Sequence, residues 1–366
     1  MQVIICGGGV IGACTAYFLS LRNVDITVVE RTGVANAASG KSGGFIARDW
    51  CRGTPVDALA QRSFDLHAEL AQTIASDWGY RRLDTLAVAA SQKRDSSRYT
   101  RRQAPGWLAA DAVVHDRIGC EETTAQVNPA QFTQGLMAAA QQNGARLVAG
   151  TVDGIDLSAD GQRATGVRID GTTLATDALV IALGPWSILA CQWLPLPAVY
   201  GLKGHSLVFR YQPSEPCALF VELETADGAI ATPEVMPRTD GTTYVCGLSS
   251  ESPLPLDPAA VVEDDGATSR LRELTAAVAP ELAAAEVLAT QACYRPITRD
   301  GIPIIGKVPG VEGAYVATGH SVWGMLNGPA TGEALAELIV TGRASSVDLA
   351  PFDPTRLPIF DGELFE

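Results

Sequence analysis

Val3-Ile4-Ile5-Cys6-Gly7-Gly8-Gly9-Val10-Ile11-Gly12, followed by Asp25-Ile26-Thr27-Val28-Val29-Glu30, is the stretch that decides the fold. The first four residues are a short β-prone apolar run that feeds a GxGxxG turn. The segment between the two runs has Ala13, Ala16, Tyr17 and Leu19 on its packing side and predicts a helix, after which residues 25–30 predict a second strand ending in an acid. Each part of such a unit has a physical task. Gly7 permits the tight turn, Gly9 lets the backbone approach a pyrophosphate, and Gly12 lets helix and strand pack closely. The helix N-terminus then presents free N–H groups and the positive end of its dipole to the phosphates. Glu30, eighteen residues past Gly12, is placed to accept hydrogen bonds from the ribose hydroxyls of an adenosine. A lone GxGxxG is weak evidence, but a full strand-turn-helix-strand-acid frame points to a bound dinucleotide. The plainer alternatives are a structural glycine turn without a ligand, or a signal peptide or membrane span over the uncharged Val3 to Leu21. The absence of a basic leading segment and the presence of glycines argue against the second.

A chain of 366 residues is long enough for two domains, and 47% apolar with 19% charged residues is ordinary globular composition. The net charge of −14 argues against nucleic acid or an anionic membrane surface as partner. Eight cysteines are scattered without CxxC or metal-ligand spacing, which predicts a reduced, cytoplasmic protein with neither disulfides nor a metal site. With a strand at Val3 no N-terminal targeting segment is expected, and Glu363 to Glu366 is not a peroxisomal address.

After Glu30 comes a run dense in small residues, Ala35 to Phe45, which permits close approach of backbone to something flat or anionic; its plainer reading is a flexible loop. Asp57 to Trp78 has helical spacing. The arginine-rich run Lys93 to Arg102 reads as a solvated face. Asn128-Pro129 should open a helix that Gly144 closes, strands should follow at 146–149 and 152–155, and Gly166 to Thr173 alternates like a hairpin arm. Asp177 to Leu183 reads as a strand buried on both faces, ending in a Gly184-Pro185 turn. From Leu196 to Cys293, alternation and turn residues predict a mostly antiparallel sheet, with a helix over Asp264 to Ala279. A glycine-rich turn, Gly324 to Gly328, should lead into a last helix starting near Pro329 and ending at Gly342. No function is assigned to the tail beyond Pro351.

Together, the GGGVIG turn with Glu30, SGKSGGF from Ser39, DALVIALGPWS from Asp177, CYRPITRDGIPIIG from Cys293 and VATGHSVWGMLNGPATG from Val316 occur in an order that resembles the D-amino-acid oxidase superfamily of FAD-dependent oxidoreductases. That superfamily includes glycine oxidase and monomeric sarcosine oxidase, and the resemblance spans nearly the whole chain. It implies fold class α/β plus β: a Rossmann-like FAD-binding domain of the GR2 type over 1–83, 126–195 and 294–350. A discontinuous substrate domain on a mostly antiparallel sheet would occupy 84–125 and 196–293, leaving 351–366 as a tail. FAD would be the cofactor, with Gly7, Gly9, Val10, Ile11, Gly12, Glu30 and Arg31 in the first-unit site. Ser39, Gly40, Lys41, Ser42, Gly43 and Gly44 would lie along the pyrophosphate and flavin ring, with Lys41 within reach of flavin or substrate. Val152 would lie at the adenine, Gly184 and Trp186 by the phosphate bridge, and Gly324, Met325, Leu326 and Asn327 beside the flavin pyrimidine edge. A helix N-terminus there would favour the negative charge that two-electron reduction places near N1 and the C2 oxygen.

The resemblance also implies that Arg295, in an x-Arg-Pro stretch, holds a substrate carboxylate with its planar fork of N–H donors; its plainer reading is a structural ion pair. His320, Trp323, Tyr244 and Glu234 are weaker substrate-pocket candidates. Cys293 falls where monomeric sarcosine oxidase joins its flavin covalently, although a buried inert thiol is the simpler reading. Two departures stand out. Val322 replaces the second arginine of glycine oxidase, and no lysine stands near Val245 where sarcosine oxidase has the one that serves its reaction with oxygen. The implied activity is oxidation of a small amino acid or related amine by hydride transfer to flavin, giving an imine that hydrolyses. The electron acceptor would be molecular oxygen, with hydrogen peroxide as product, or another acceptor. A nicotinamide dehydrogenase and a non-catalytic flavoprotein that acts as a binding or assembly partner are the alternatives.

Overall fold

The strand Gln2–Cys6 sends Val3 and Ile5 into one apolar core and Ile4 and Cys6 into another, and all four are fully buried. Its parallel neighbours behave alike: Val28 and Val180 face the first core, Val29 and Ile181 the second. Strands covered on both faces read as continuous apolar runs, which is why these were visible in the sequence. In the computed structural model, which describes residues 1–92 and 104–362, they form the centre of a six-stranded sheet. Its order is Ile304–Lys307, Ala314–Thr318, Ala178–Ile181, Gln2–Cys6, Asp25–Glu30, Arg146–Ala149. Only the pairing of Ile304–Lys307 is antiparallel. Lys93 to Arg102 and Glu363 to Glu366 lie outside the described residues.

The helices are α1 (Val10–Ser20), α2 (Asp57–Thr73), α3 (Pro129–Gln142), α4 (Ala267–Val278), α5 (Pro280–Ala284) and α6 (Gly324–Thr341). Helices α1, α2, α3 and α6 cover one face of the parallel sheet. The other face carries an antiparallel meander, Val152–Leu157, Ala164–Ile169 and Thr172–Ala175, whose last turn uses Asp170 and Gly171 at φ 48° and 77°.

A second, eight-stranded sheet runs in the order Val287–Ile297, Tyr200–Phe209, Thr243–Ser250, Glu234–Pro237, Ala218–Glu224, Thr85–Ser91, Val113–Gly119, with Ile230–Ala231 beside Ala218–Glu224. Every pairing is antiparallel except Ala218–Glu224 with Thr85–Ser91. On one face Leu207, Leu219, Val235 and Val245 pack on Leu271, Leu274 and Val278 of α4. The opposite face carries Val208, Met236, Tyr244 and Cys246 and contributes to the cavity described below.

Two local expectations are corrected. Gly184–Gln192 is a 3-10 stretch rather than a simple turn. Helix α6 begins at Gly324 and takes Pro329 into its interior. A proline there lacks the N–H that would bond to the Met325 carbonyl and pushes the previous turn away. Helix α2 repairs both faults. His67 Nε2 lies 3.0 Å from the Met325 carbonyl oxygen, which can only accept, so Nε2 carries the proton. Ser63 Oγ accepts the Ala330 N–H at 3.0 Å, and both side chains are fully buried.

Candidate active site

One cavity of about 270 Å³ lies against the C-terminal ends of the central parallel strands and the free face of the second sheet. Val10 of α1 and Gly324 of α6 both line it. The two helices run side by side in the same direction: a Cβ on Gly328 would meet Val10 at 2.9 Å, and one on Gly332 would meet the Cys14 carbonyl carbon at 2.5 Å. Neither helix has an acidic residue in its first turn. Two parallel dipoles with adjacent positive ends repel, and an anion at those ends relieves the repulsion. The turn before α1 is tight. Gly7 sits at φ 114°, and a Cβ on Gly12 would come within 1.9 Å of the Gly7 carbonyl oxygen, so Gly12 serves packing.

Glu30 stands at one end of the cavity with its carboxylate oriented by the N–H groups of Gly8 (2.7 Å) and Thr32 (2.8 Å). Ser39 Oγ accepts the Val10 N–H at 2.9 Å, while Ser42 Oγ is buried without a partner among the described residues. Gly43 touches the second sheet, where a Cβ would lie 3.2 Å from the Tyr244 ring. Arg238, buried, donates to the Ser42 carbonyl at 3.0 Å and lies over the Tyr244 ring, which pins the small-residue loop to the sheet. Val152, Gly184 and Trp186 complete this wall. Trp186 Nε1 donates to the Pro255 carbonyl at 2.8 Å and Arg31 pairs with Asp257 at 3.5 Å, so the loop carrying Leu256 and Pro258 is held over the cavity mouth.

Strand register builds the opposite wall. Glu234 pairs with Cys246, Cys246 with Ser206, and Gly204 with Cys293. Directly paired residues share a face, as do residues two apart, so Glu234, Tyr244, Cys246, Cys293 and Arg295 all face the cavity. Arg295 folds back across Gly204, where a Cβ would lie 2.9 Å from its Nη2. Its guanidinium donates to Ser249 Oγ at 2.9 Å, and no carboxylate among the described residues lies in ion-pair range. Burial pushes the Glu234 carboxyl up from its ordinary value, with Arg295 pulling against it. Burial likewise raises Cys246, Cys293 and Tyr244, which keeps all three neutral at pH 7.

A family model described as FAD dependent oxidoreductase matches residues 2–338. The chain belongs to this FAD-dependent oxidoreductase family. An oxidoreductase of Schizosaccharomyces pombe is 30% identical, with 96% of this chain and 97% of that one covered. Glycine oxidase of Pseudomonas aeruginosa is 29% identical over 96% and 98% of the two chains. The crystal structure of glycine oxidase from Geobacillus kaustophilus superposes with a TM-score of 0.79 at 25% identity, covering 97% of this chain and 99% of that one. The architecture is thus that of a Rossmann-like FAD domain with a second, mostly antiparallel domain, and the cofactor is FAD. The wall fits that group: two helix ends without an acidic residue in the first turn, a run of small residues, and a buried Ser42 hydroxyl without a partner among the described residues.

Not every residue expected at the site of this FAD-dependent oxidoreductase reaches the cavity wall. Gly40 and Gly44 are packing glycines, each with a Cβ position within about 2 Å of a backbone carbonyl oxygen, of Ala35 and Val127 respectively. Lys41 Nζ donates to the Ala292 carbonyl at 3.2 Å. Leu326 and Asn327 are buried inside α6, and Trp323 packs edge-on against Trp50 with ring centroids 6.3 Å apart. His320 borders the cavity but is buried, with Nε2 on Thr331 Oγ1 at 3.1 Å and its pKa held down to about 3 by burial. Gly204, Cys246 and Thr318, which sequence reasoning missed, line the cavity. Only sheet register brings the first two there. Among the described residues no cluster of side chains could hold a metal, all eight cysteines are free, and no helix is long and apolar enough to cross a membrane.

Proposed function

We propose that this protein oxidises a small amino acid or related amine. The observation that carries the reading is Arg295, a guanidinium laid over Gly204 at the cavity with a single hydroxyl partner and no carboxylate partner among the described residues. Such a fork binds a carboxylate bidentately and so fixes orientation as well as position. FAD, when bound, takes up the two electrons and the hydrogen of the substrate α C–H bond. The protein's task is placement. Arg295 holds the acid group, and Tyr244 and Gly43 bound the space above the sheet. The imine product hydrolyses in water, and oxygen or another acceptor takes the electrons.

In this reading Glu30 holds the adenosine ribose, Val10, Ile11, Ser39 and Gly184 surround the pyrophosphate, and Gly324 and Met325 face the flavin pyrimidine edge. The FAD domain spans 1–83, 126–195 and 294–350 and the substrate domain 84–125 and 196–293, with the strand Val287–Ile297 crossing between them. The test is anaerobic mixing of the purified holoprotein with glycine, sarcosine and both hands of alanine and proline. At least one should bleach the flavin; no bleaching with any amino acid or amine would refute the reading.

A further inference from the structure

Glu234 is the carboxyl on the sheet wall, and the preceding reading leaves its chemistry unused. Its Oε2 takes a single weak donor, Cys246 Sγ at 3.6 Å, and no lysine, arginine or histidine among the described residues lies within ion-pair distance of it. A thiol is a poor donor, and a carboxylate withdrawn from water with so little compensation is costly. Such a cost is retained where a ligand supplies the missing partner. The same cavity holds Arg295, also without an ionic partner among the described residues, so the wall presents one carboxyl and one guanidinium to whatever enters.

We propose that Glu234 receives the substrate's amino group, so that the site takes a zwitterion with its carboxylate on Arg295, its ammonium on Glu234 and the α C–H between them. This rests on the amino-acid reading above and narrows it. The substrate must carry a free primary or secondary amine beside its carboxylate; simple amines leave Arg295 unpaired, and N-acylated amino acids and plain carboxylates leave Glu234 unpaired. A proton then passes from the ammonium nitrogen to a Glu234 oxygen. The N–H bond breaks with its electron pair left on nitrogen, the O–H bond forms, and the proton is returned to water once product leaves. The substrate is thereby held as the neutral amine that C–H oxidation requires.

The groups facing Glu234 are compatible with this transfer. Tyr244 and Cys246 come from the strand Thr243–Ser250, and Cys293 and Arg295 from Val287–Ile297; Phe220, paired with Glu234 on its other side, is apolar. The phenol and thiols are kept neutral by burial, so Glu234 is the one carboxyl among these groups.

The test compares wild-type holoprotein with Glu234→Gln and Glu234→Asp. Anaerobic flavin reduction is followed from pH 6 to 10 with the best amino acid of the panel, and acetate and propionate binding is read from perturbation of the flavin spectrum. The expected result for Glu234→Gln is at least tenfold weaker amino-acid binding, unchanged or tighter binding of the amine-free acids, and a low-pH limb of the reduction rate displaced upward. Glu234→Asp should recover part of the loss. Reduction of Glu234→Gln with wild-type affinity and pH profile would overturn the role of Glu234 while leaving the amino-acid reading intact, and so would equal weakening of both ligand classes. A wild-type flavin that no amino acid reduces would overturn both.

Discussion

Replacing Gly204 by alanine separates the job of Arg295 from the integrity of the fold. The added Cβ would stand 2.9 Å from Arg295 Nη2 and 3.2 Å from Cζ, closer than van der Waals contact permits, so something must move. The backbone at Gly204 is not in the left-handed region, and the obstructing atoms are the end of a flexible side chain, so the guanidinium moves. Alanine inside a strand is favoured over glycine by roughly 0.5–1 kcal/mol, so the thermal midpoint should hold or rise slightly. The displaced fork loses at least one charge-assisted hydrogen bond to the substrate carboxylate, worth about 1.5–3 kcal/mol. At about 1.4 kcal/mol per factor of ten, the half-saturating substrate concentration should rise by about 10- to 100-fold. Anaerobic flavin reduction against substrate concentration, alongside a thermal melt, measures both. Unchanged half-saturation would refute the placement of Arg295 over Gly204 in the working complex, and a collapsed melt would refute the claim that only a side chain yields.

Gly12→Ala should behave in the opposite way: its Cβ would meet a backbone oxygen at 1.9 Å, so α1 is driven off its strand, stability falls by about 1–3 kcal/mol or more, and the protein is purified colourless. His67 is buried with its pKa held down to about 4 by burial, below its ordinary 6.5, so the stability it contributes is full above pH 6.5 and is lost as pH falls toward 4. That share is on the order of 3 kcal/mol. His67→Phe should flatten this limb in urea titrations at a series of pH values, and at pH 7 should lower stability by about 1–3 kcal/mol because the Met325 carbonyl loses its donor. Cys293 is held as a neutral thiol by burial, so acid precipitation should leave all the yellow colour in the supernatant; colour in the pellet would establish a covalent link.

The first unit was legible because its signals are local: alternate residues of Gln2–Cys6 face two cores, and Gly12 must be a glycine for the helix to reach the strand. The N-cap at Asn128, whose side chain accepts the Gln131 N–H, and the proline after it marked α3 for the same reason. The start of α6 was misplaced because a proline inside a helix is tolerated there only through His67 and Ser63, more than 250 residues away in sequence. Trp323 was a weaker pocket candidate, but its ring turns to Trp50, a contact between residues far apart in sequence that no local pattern marks. Gly204 and the facing of Glu234 on Arg295 depend on a four-strand register with a bulge after His205, and no local pattern encodes that.

The central claim is that Arg295 holds the substrate's acid group beside the bound flavin. Anaerobic rapid mixing of wild type and Arg295→Lys with the amino acid that reduces the flavin fastest tests it directly. A point charge cannot reproduce the planar fork, so the lysine variant should require at least tenfold more substrate for half-maximal reduction. Reduction at the wild-type rate and the wild-type half-saturation would contradict the claim.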